Sequence, residues 1–215
     1  MSDKLKADEV ASQGQLYNIA KSISNPKIRA LFVFEYLSGG RVGELVKRCK
    51  KNQLEYRTIK GGEFLAIDRF YTEKNKRYDK RVLIIPIAHE GKFIDLTKEW
   101  INSLDDDAFI FPFNRVTAWR HIRKIIDKFK EEGIKGDPVI KAMVNGKMKR
   151  INKNRKKGYC HMNANHYLRH CRATHLVTIY GFDSMRLVKY MGWTDARPAD
   201  TYVHLNVDDL ADKMM

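Results

Sequence analysis

Cysteine is scarce in this chain: Cys49, Cys160 and Cys171 are all it has in 215 residues, and their spacing is irregular. Three thiols make no disulfide framework. Each reads as a small buried apolar residue, and a reducing, cytoplasmic setting is expected. No apolar segment follows Met1, and no run is long and apolar enough to span a membrane, so neither a leader nor a membrane partner is expected. Internal repeats and low-complexity stretches are absent, and so is a Gly-x-x-x-x-Gly-Lys loop of the kind that cradles nucleotide phosphates.

Acidic residues are also under-represented. There are 26 Asp and Glu against 41 Lys and Arg, a formal charge of +15 that repels itself unless a polyanion is the usual partner. Nucleic acid fits that role. A basic tail would share the charge, but 43% hydrophobic residues and three tryptophans indicate a packed domain.

Residues 8 to 23 carry apolar positions at helical spacing, and Ser24-Asn25-Pro26 breaks that pattern before the apolar run Ile28 to Leu37, which predicts a buried helix. Ser38-Gly39-Gly40 ends it, and a second helix is expected with Arg41 in its first turn. From Leu54 the period shortens to that of strands. Leu54 to Ile59, Glu63 to Tyr71 and Val82 to Ile87 predict a small antiparallel meander with Lys74 and Lys76 at the tip of its second hairpin. Trp100 to Leu104 closes a short helix, and Val116 to Phe129 has amphipathic spacing. The very basic segment 135 to 158 reads as a hairpin insertion turning at Asn145-Gly146. Its Lys147, Lys149, Arg150, Lys153, Arg155, Lys156 and Lys157 are candidates for tracking a DNA backbone.

The last fifty residues hold the chemistry. Asn165 can cap a helix that carries His166, Arg169, His170 and Ala173 on one face. Asp183 caps the next, Ser184 to Met191, which Gly192 ends in a left-handed corner, fixing where Trp193 emerges. A third helix over 198 to 215 bears Tyr202, nine residues beyond Trp193. One tyrosine downstream of a His-x-x-Arg pair suits attack of a hydroxyl on a phosphate. That attack needs a positioned nucleophile, cations on the non-bridging oxygens and donors for developing charge. Cys160, His161, His166 and His170 would be the candidates for a zinc site. No second cysteine pair closes a tetrahedral set and no acid stands between the histidines, so no metal is expected.

Gly39-Gly40-Arg41-Val-Gly-Glu44-Leu, the basic hairpin, His166-x-Leu-Arg169-His170, Gly192-Trp193 and Tyr202 together resemble the tyrosine recombinase (phage integrase) family in order and spacing, over residues 28 to 210. Met-Gly-Trp-Thr and Thr-Tyr-Val-His-Leu look most like archaeal virus and plasmid integrases. The resemblance implies an α+β fold, mainly helical with a small antiparallel sheet on one edge, and a single catalytic domain over 1 to 215. The family's helical core-binding domain would be absent from the chain, which predicts weaker DNA binding.

The resemblance further implies site-specific cleavage and rejoining of double-stranded DNA through a 3′-phosphotyrosyl link, without cofactors. A homotetramer would form on DNA, from a monomer or weak oligomer when free. Tyr202 would be the nucleophile, with Arg41 and Arg169 on the phosphate oxygens and His166 sharing the tyrosine proton or the phosphate charge. Lys74 would be the general acid, with Lys76 as the alternative two residues along the same strand face, and Trp193 would donate its indole N–H. Glu44 would orient Arg41, and His170 would hold the active-site helix. A type IB topoisomerase shares this chemistry, and a non-catalytic DNA-binding module of the same fold is the alternative from another class.

Overall fold

A computed structural model of the chain describes residues 10–72, 80–131, 141–144, 147–150 and 164–203. Its centre is helix α2 (Pro26–Ser38), in which every residue from Ala30 to Ser38 is buried. A helix apolar all round belongs inside a bundle. Pro26, which reads in sequence as a break, is the helix's first residue. There its missing N–H costs nothing, while the Asn25 side chain caps the Ile28 amide at 3.1 Å. Helix α1 (Gln13–Ser22) precedes it, closed by a Ser12–Gln15 capping box. Around α2 lie α4 (Ile87–Asn102), α5 (Arg115–Glu131) and α6 (Ala164–Thr178), with the one-turn α3 (Val42–Leu45) between α2 and the sheet. The aromatic rings interlock by their edges: Phe93 meets Tyr17 at 5.5 Å and Phe34 meets Phe111 at 5.5 Å.

The sheet is the expected meander, β1 (Leu54–Ile59), β2 (Gly62–Tyr71) and β3 (Lys80–Pro86), antiparallel in that order. Leu65 pairs with Ile85 and Ile67 with Leu83, and the alternation buries all four against the helices. A bulge between Ile67 and Phe70, with Arg69 at φ 52°, bends the far end of β2 towards the loop after α2. A second two-stranded sheet pairs β4 (Lys141–Val144) with β5 (Lys147–Arg150), Val144 opposite Lys147.

Several boundaries differ from the sequence reading. Arg41 is not in the first turn of α3 but is its extended N-cap residue (φ −80°, ψ 151°), a position from which the side chain leaves the helix. The short helix expected to end near Leu104 is the 16-residue α4, which starts directly after β3 and places Phe93, Ile94 and Thr97 inward. Helix α6 begins at Ala164, so Asn165 lies within it and is not its cap. Helix α8 covers Arg197–Val203, and the remainder of the expected 198 to 215 helix lies outside the described residues. Lys74, Lys76, Lys153, Arg155, Lys156 and Lys157 also lie outside them, as do Cys160 and His161.

Candidate active site

Two loops meet where α2 ends and where α7 (Ser184–Met191) ends. Gly39 stands at φ 56°, where a side chain is strained, and a methyl group there would come within 2.8 Å of the Met191 sulfur, so glycine lets this loop lie against the end of α7. Asp183 caps α7 through the Arg186 amide at 2.7 Å, and Gly192 ends it at φ 64° in the left-handed corner expected from sequence.

Arg169 joins these loops from beneath. Its Nη1 donates to the carbonyl of Gly39 and its Nη2 to the carbonyl of Met191 at 2.8 Å, with the residue 4% exposed. Burial, reinforced by the Arg41 charge, pulls its guanidinium down to about 9. Arg41 lies above the same loop. Its Nη1 is 2.9 Å from Glu44 Oε1, and its backbone amide donates to Glu44 Oε2 at 2.9 Å, so one buried carboxylate holds both ends of the arginine.

Tyr202 reaches this point from α8. Its ring stacks on Trp193 at 5.8 Å and 16°, and the Arg169 guanidinium lies 5.5 Å from the same indole. The Tyr202 hydroxyl is hydrogen-bonded to Nδ1 of His170. The family resemblance gives His166 the tyrosine proton or the phosphate charge; in the structure the phenol meets His170, and His166 is exposed one turn back on α6. Packing is the reason. Tyr202 is buried in a small cluster with Ala173, Leu176, Met191 and Ala199, which draws it to the part of α6 nearer His170.

Arg172, fully buried behind the loops, is a residue that the sequence motifs do not single out. It pairs with Glu90, donates to the Tyr190 hydroxyl at 2.7 Å, and Tyr190 in turn donates to the Leu37 carbonyl at 2.8 Å. This network fixes α6 against α2, α4 and α7 from within, three residues from Arg169. Among the described residues no group of His, Cys, Asp and Glu could hold a metal ion.

Two imidazoles, the buried His175 and the half-buried His170, make stability depend on pH. Burial, then the charges of His166 and Arg169, lower His170 from 6.5 to about 4. Burial, then Arg172, lowers His175 from 6.5 to about 4, and its Nδ1 is 2.9 Å from the Tyr36 hydroxyl. Because both folded values lie below the unfolded one, the unfolded chain takes up protons first. Stability is therefore whole above about pH 6.5 and is lost as pH falls from there to about 4. Denaturation midpoints should fall across this window, and His175→Gln should flatten the slope by about one proton's worth. An unchanged slope in that variant would contradict the assignment to His175.

The same arrangement of helices and sheet recurs in solved structures. The chain is similar to the XerA recombinase, at a TM-score of 0.56 and 19% identity over 95% of this chain and 61% of that one. It is also similar to the XerH site-specific recombinase bound to difH substrate in a pre-cleavage complex, at 0.54 and 18%, over 98% of this chain and 54% of that one. It thus spans between half and two thirds of the length of those proteins, and at such identities the likeness concerns the fold. No curated protein sequence matches it. The family model described as the phage integrase family matches residues 5–208, which takes in both glycine loops, both arginines and the tyrosine, and the chain belongs to that family.

Proposed function

We propose that the chain is a site-specific recombinase that cleaves and rejoins double-stranded DNA strands, with Tyr202 as nucleophile. The observation that carries this is the meeting of Tyr202, Trp193 and Arg169 at the junction of the two glycine loops, with Arg41 within electrostatic reach. The phenol oxygen attacks phosphorus, the bond to the 5′ oxygen breaks, the phenol proton departs, and the 5′ oxygen receives a proton. Arg41 and Arg169 neutralise the charge on the non-bridging oxygens, where permanently charged planar forks suit the geometry. Trp193 donates its indole N–H to the phosphate and backs the tyrosine ring.

His170, held at about 4, is too weak a base to take a proton from a phenol, so its role is to aim the hydroxyl. Acidification of Tyr202 then falls to the arginines, with His166 at the exposed edge of the site facing the DNA. Lys147, Lys149 and Arg150 on β5, with Lys153, Arg155, Lys156 and Lys157 after it, contact the backbone beside the cut. The enzyme assembles as a homotetramer on DNA. The XerH structures were solved with difH substrates, which supports DNA as the partner here. No helix among the described residues is long and apolar enough to cross a membrane.

The test is covalent capture. A pool of random-sequence nicked duplexes is incubated with the protein, denatured, and the DNA that stays attached is sequenced. An adduct that depends on Tyr202 supports the reading, and its absence from a folded protein overturns it.

The general acid is Lys74 or Lys76, both in the segment between β2 and β3. Replacing the 5′ bridging oxygen with sulfur gives a leaving group that needs no proton, because a thiol ionises near pH 8.5. This substrate should restore cleavage to Lys74→Ala. Rescue of Lys76→Ala alone would move the role two residues along, and rescue of neither would remove the hairpin from proton transfer.

A further inference from the structure

Arg81, the second residue of β3, pairs opposite Phe70, and its guanidinium carbon lies 5.3 Å from the Phe70 ring. Phe70 itself abuts the first glycine loop, for a methyl group at Gly40 would fall 2.8 Å from its Cζ. On the other side, a Cβ at Gly192 would fall 3.0 Å from Arg81 Nη1. The guanidinium is therefore wedged between the Gly40 loop and the Gly192–Trp193 corner, the same two segments that Arg169 joins through their carbonyls.

Its hydrogen bonding is incomplete. The residue as a whole is half-buried, but Nε and Nη2 are themselves buried with no partner among the described residues, and Nη1 has one long contact, 3.5 Å to the Lys189 carbonyl. The Thr72 hydroxyl is equally buried and unpartnered there, and its methyl group lies 3.0 Å from the same Gly192 position. Burial lowers Arg81 to about 10, Glu44 opposes that shift and Arg41 adds to it, so the three arginines share one electrostatic neighbourhood. A guanidinium with two buried, unused donors is costly, and its position beside two like charges adds to the cost. An arriving phosphate reverses both terms at once, because it accepts the free donors and offsets the shared charge.

We propose that Arg81 is a third phosphate-binding arginine of this site, contacting the scissile phosphate together with Arg41 and Arg169. The proposal rests on the phosphotyrosyl reading above. It adds a residue that lies between the Gly40 loop and the Gly192–Trp193 corner, where its donors can serve the phosphate that Tyr202 attacks.

The experiment compares Arg81→Gln with wild type on a duplex recovered by covalent capture. In parallel, the scissile phosphate is replaced by a methylphosphonate, each stereoisomer separately, which removes one negative charge and one non-bridging oxygen. On normal DNA, Arg81→Gln should slow adduct formation at least about 10²-fold, the scale for losing one charge-stabilising donor. On one methylphosphonate stereoisomer the gap to wild type should shrink below about threefold, because the oxygen that Arg81 served is gone. An equal loss on all substrates would mean that Arg81 only props the Gly192 corner, and no loss on normal DNA would mean that it is idle. Either result overturns the proposal. Should Arg81→Gln fail to fold, Arg81→Lys carries the same test, since it keeps the charge and loses the fork. If wild type forms no Tyr202-dependent adduct, the phosphotyrosyl reading itself falls and Arg81's role with it, whereas with a cleaving wild type the outcome bears on Arg81 alone.

Discussion

Tyr202→Phe is expected to form no covalent DNA adduct, a complete loss, while DNA affinity stays within about threefold of wild type. The substitution removes one oxygen and keeps the ring. Phenylalanine can still stack on Trp193, where the tyrosine ring lies at 5.8 Å and 16°, and can still fill the cluster with Ala173, Leu176 and Ala199. What disappears is the atom that would become bonded to phosphorus. The hydrogen bond to His170 goes too, at a cost of about 1–2 kcal/mol, so the thermal midpoint should drop by a few degrees without unfolding at assay temperature. The affinity should hold because binding of this kind draws mainly on lysine and arginine contacts to phosphates. Denaturing electrophoresis on a nicked substrate, with filter binding in parallel, reads both quantities. An adduct formed by the phenylalanine variant would sink the assignment of Tyr202.

Much of this site can be read from spacing because its parts stand at the ends of regular elements. Gly192 closes α7 and Asp183 opens it, both as cap chemistry requires, and the meander shows in its period-two runs, with a tight turn at Lys60–Gly61 between β1 and β2. Other parts depend on how elements pack, and local pattern carries no trace of that. His166 and His170 are one helical turn apart, and their spacing alone does not say which one meets the phenol. The burial of Tyr202 against Ala173 sets which of them meets the phenol, a contact between distant segments. Helix α4 looks short in sequence because its polar residues interrupt the apolar spacing, and one of them, Glu90, is buried as the partner of Arg172. That pairing does leave a sign. Leu168, Cys171, Arg172 and His175 fall at i, i+3, i+4 and i+7, an inward stripe in which an arginine requires a buried acid. Arg81 leaves none, since a single arginine at a strand start is unremarkable until Phe70, Gly40 and Gly192 are seen around it.

Arg169→Ala should be the second largest effect, because this side chain serves both the scaffold and the reaction. Its two nitrogens bind the carbonyls of Gly39 and Met191, and truncation leaves both acceptors without that donor in a buried place. Each orphaned group costs about 1–3 kcal/mol, so the thermal midpoint should fall by roughly 10 °C or more for a chain of this size. Cleavage should slow at least about 10²-fold even at temperatures where the variant is folded, the scale for losing one donor to a charged transition state. Arg169→Lys separates the two roles. Lysine keeps a charge near the phosphate but cannot span two carbonyls with a fixed fork, so it should recover part of the stability and little of the rate. Arg41→Ala provides the contrast, since Arg41 binds the Glu44 carboxylate and makes neither of the loop carbonyl contacts. It should lose a similar factor in rate with the junction of the two loops intact, which hydrogen exchange at Gly39 and Gly192 would read. A near wild-type single-turnover rate in Arg169→Ala would remove the arginine from the phosphate. Rate loss with an undisturbed melting temperature would show that its carbonyl contacts do not hold the loops together.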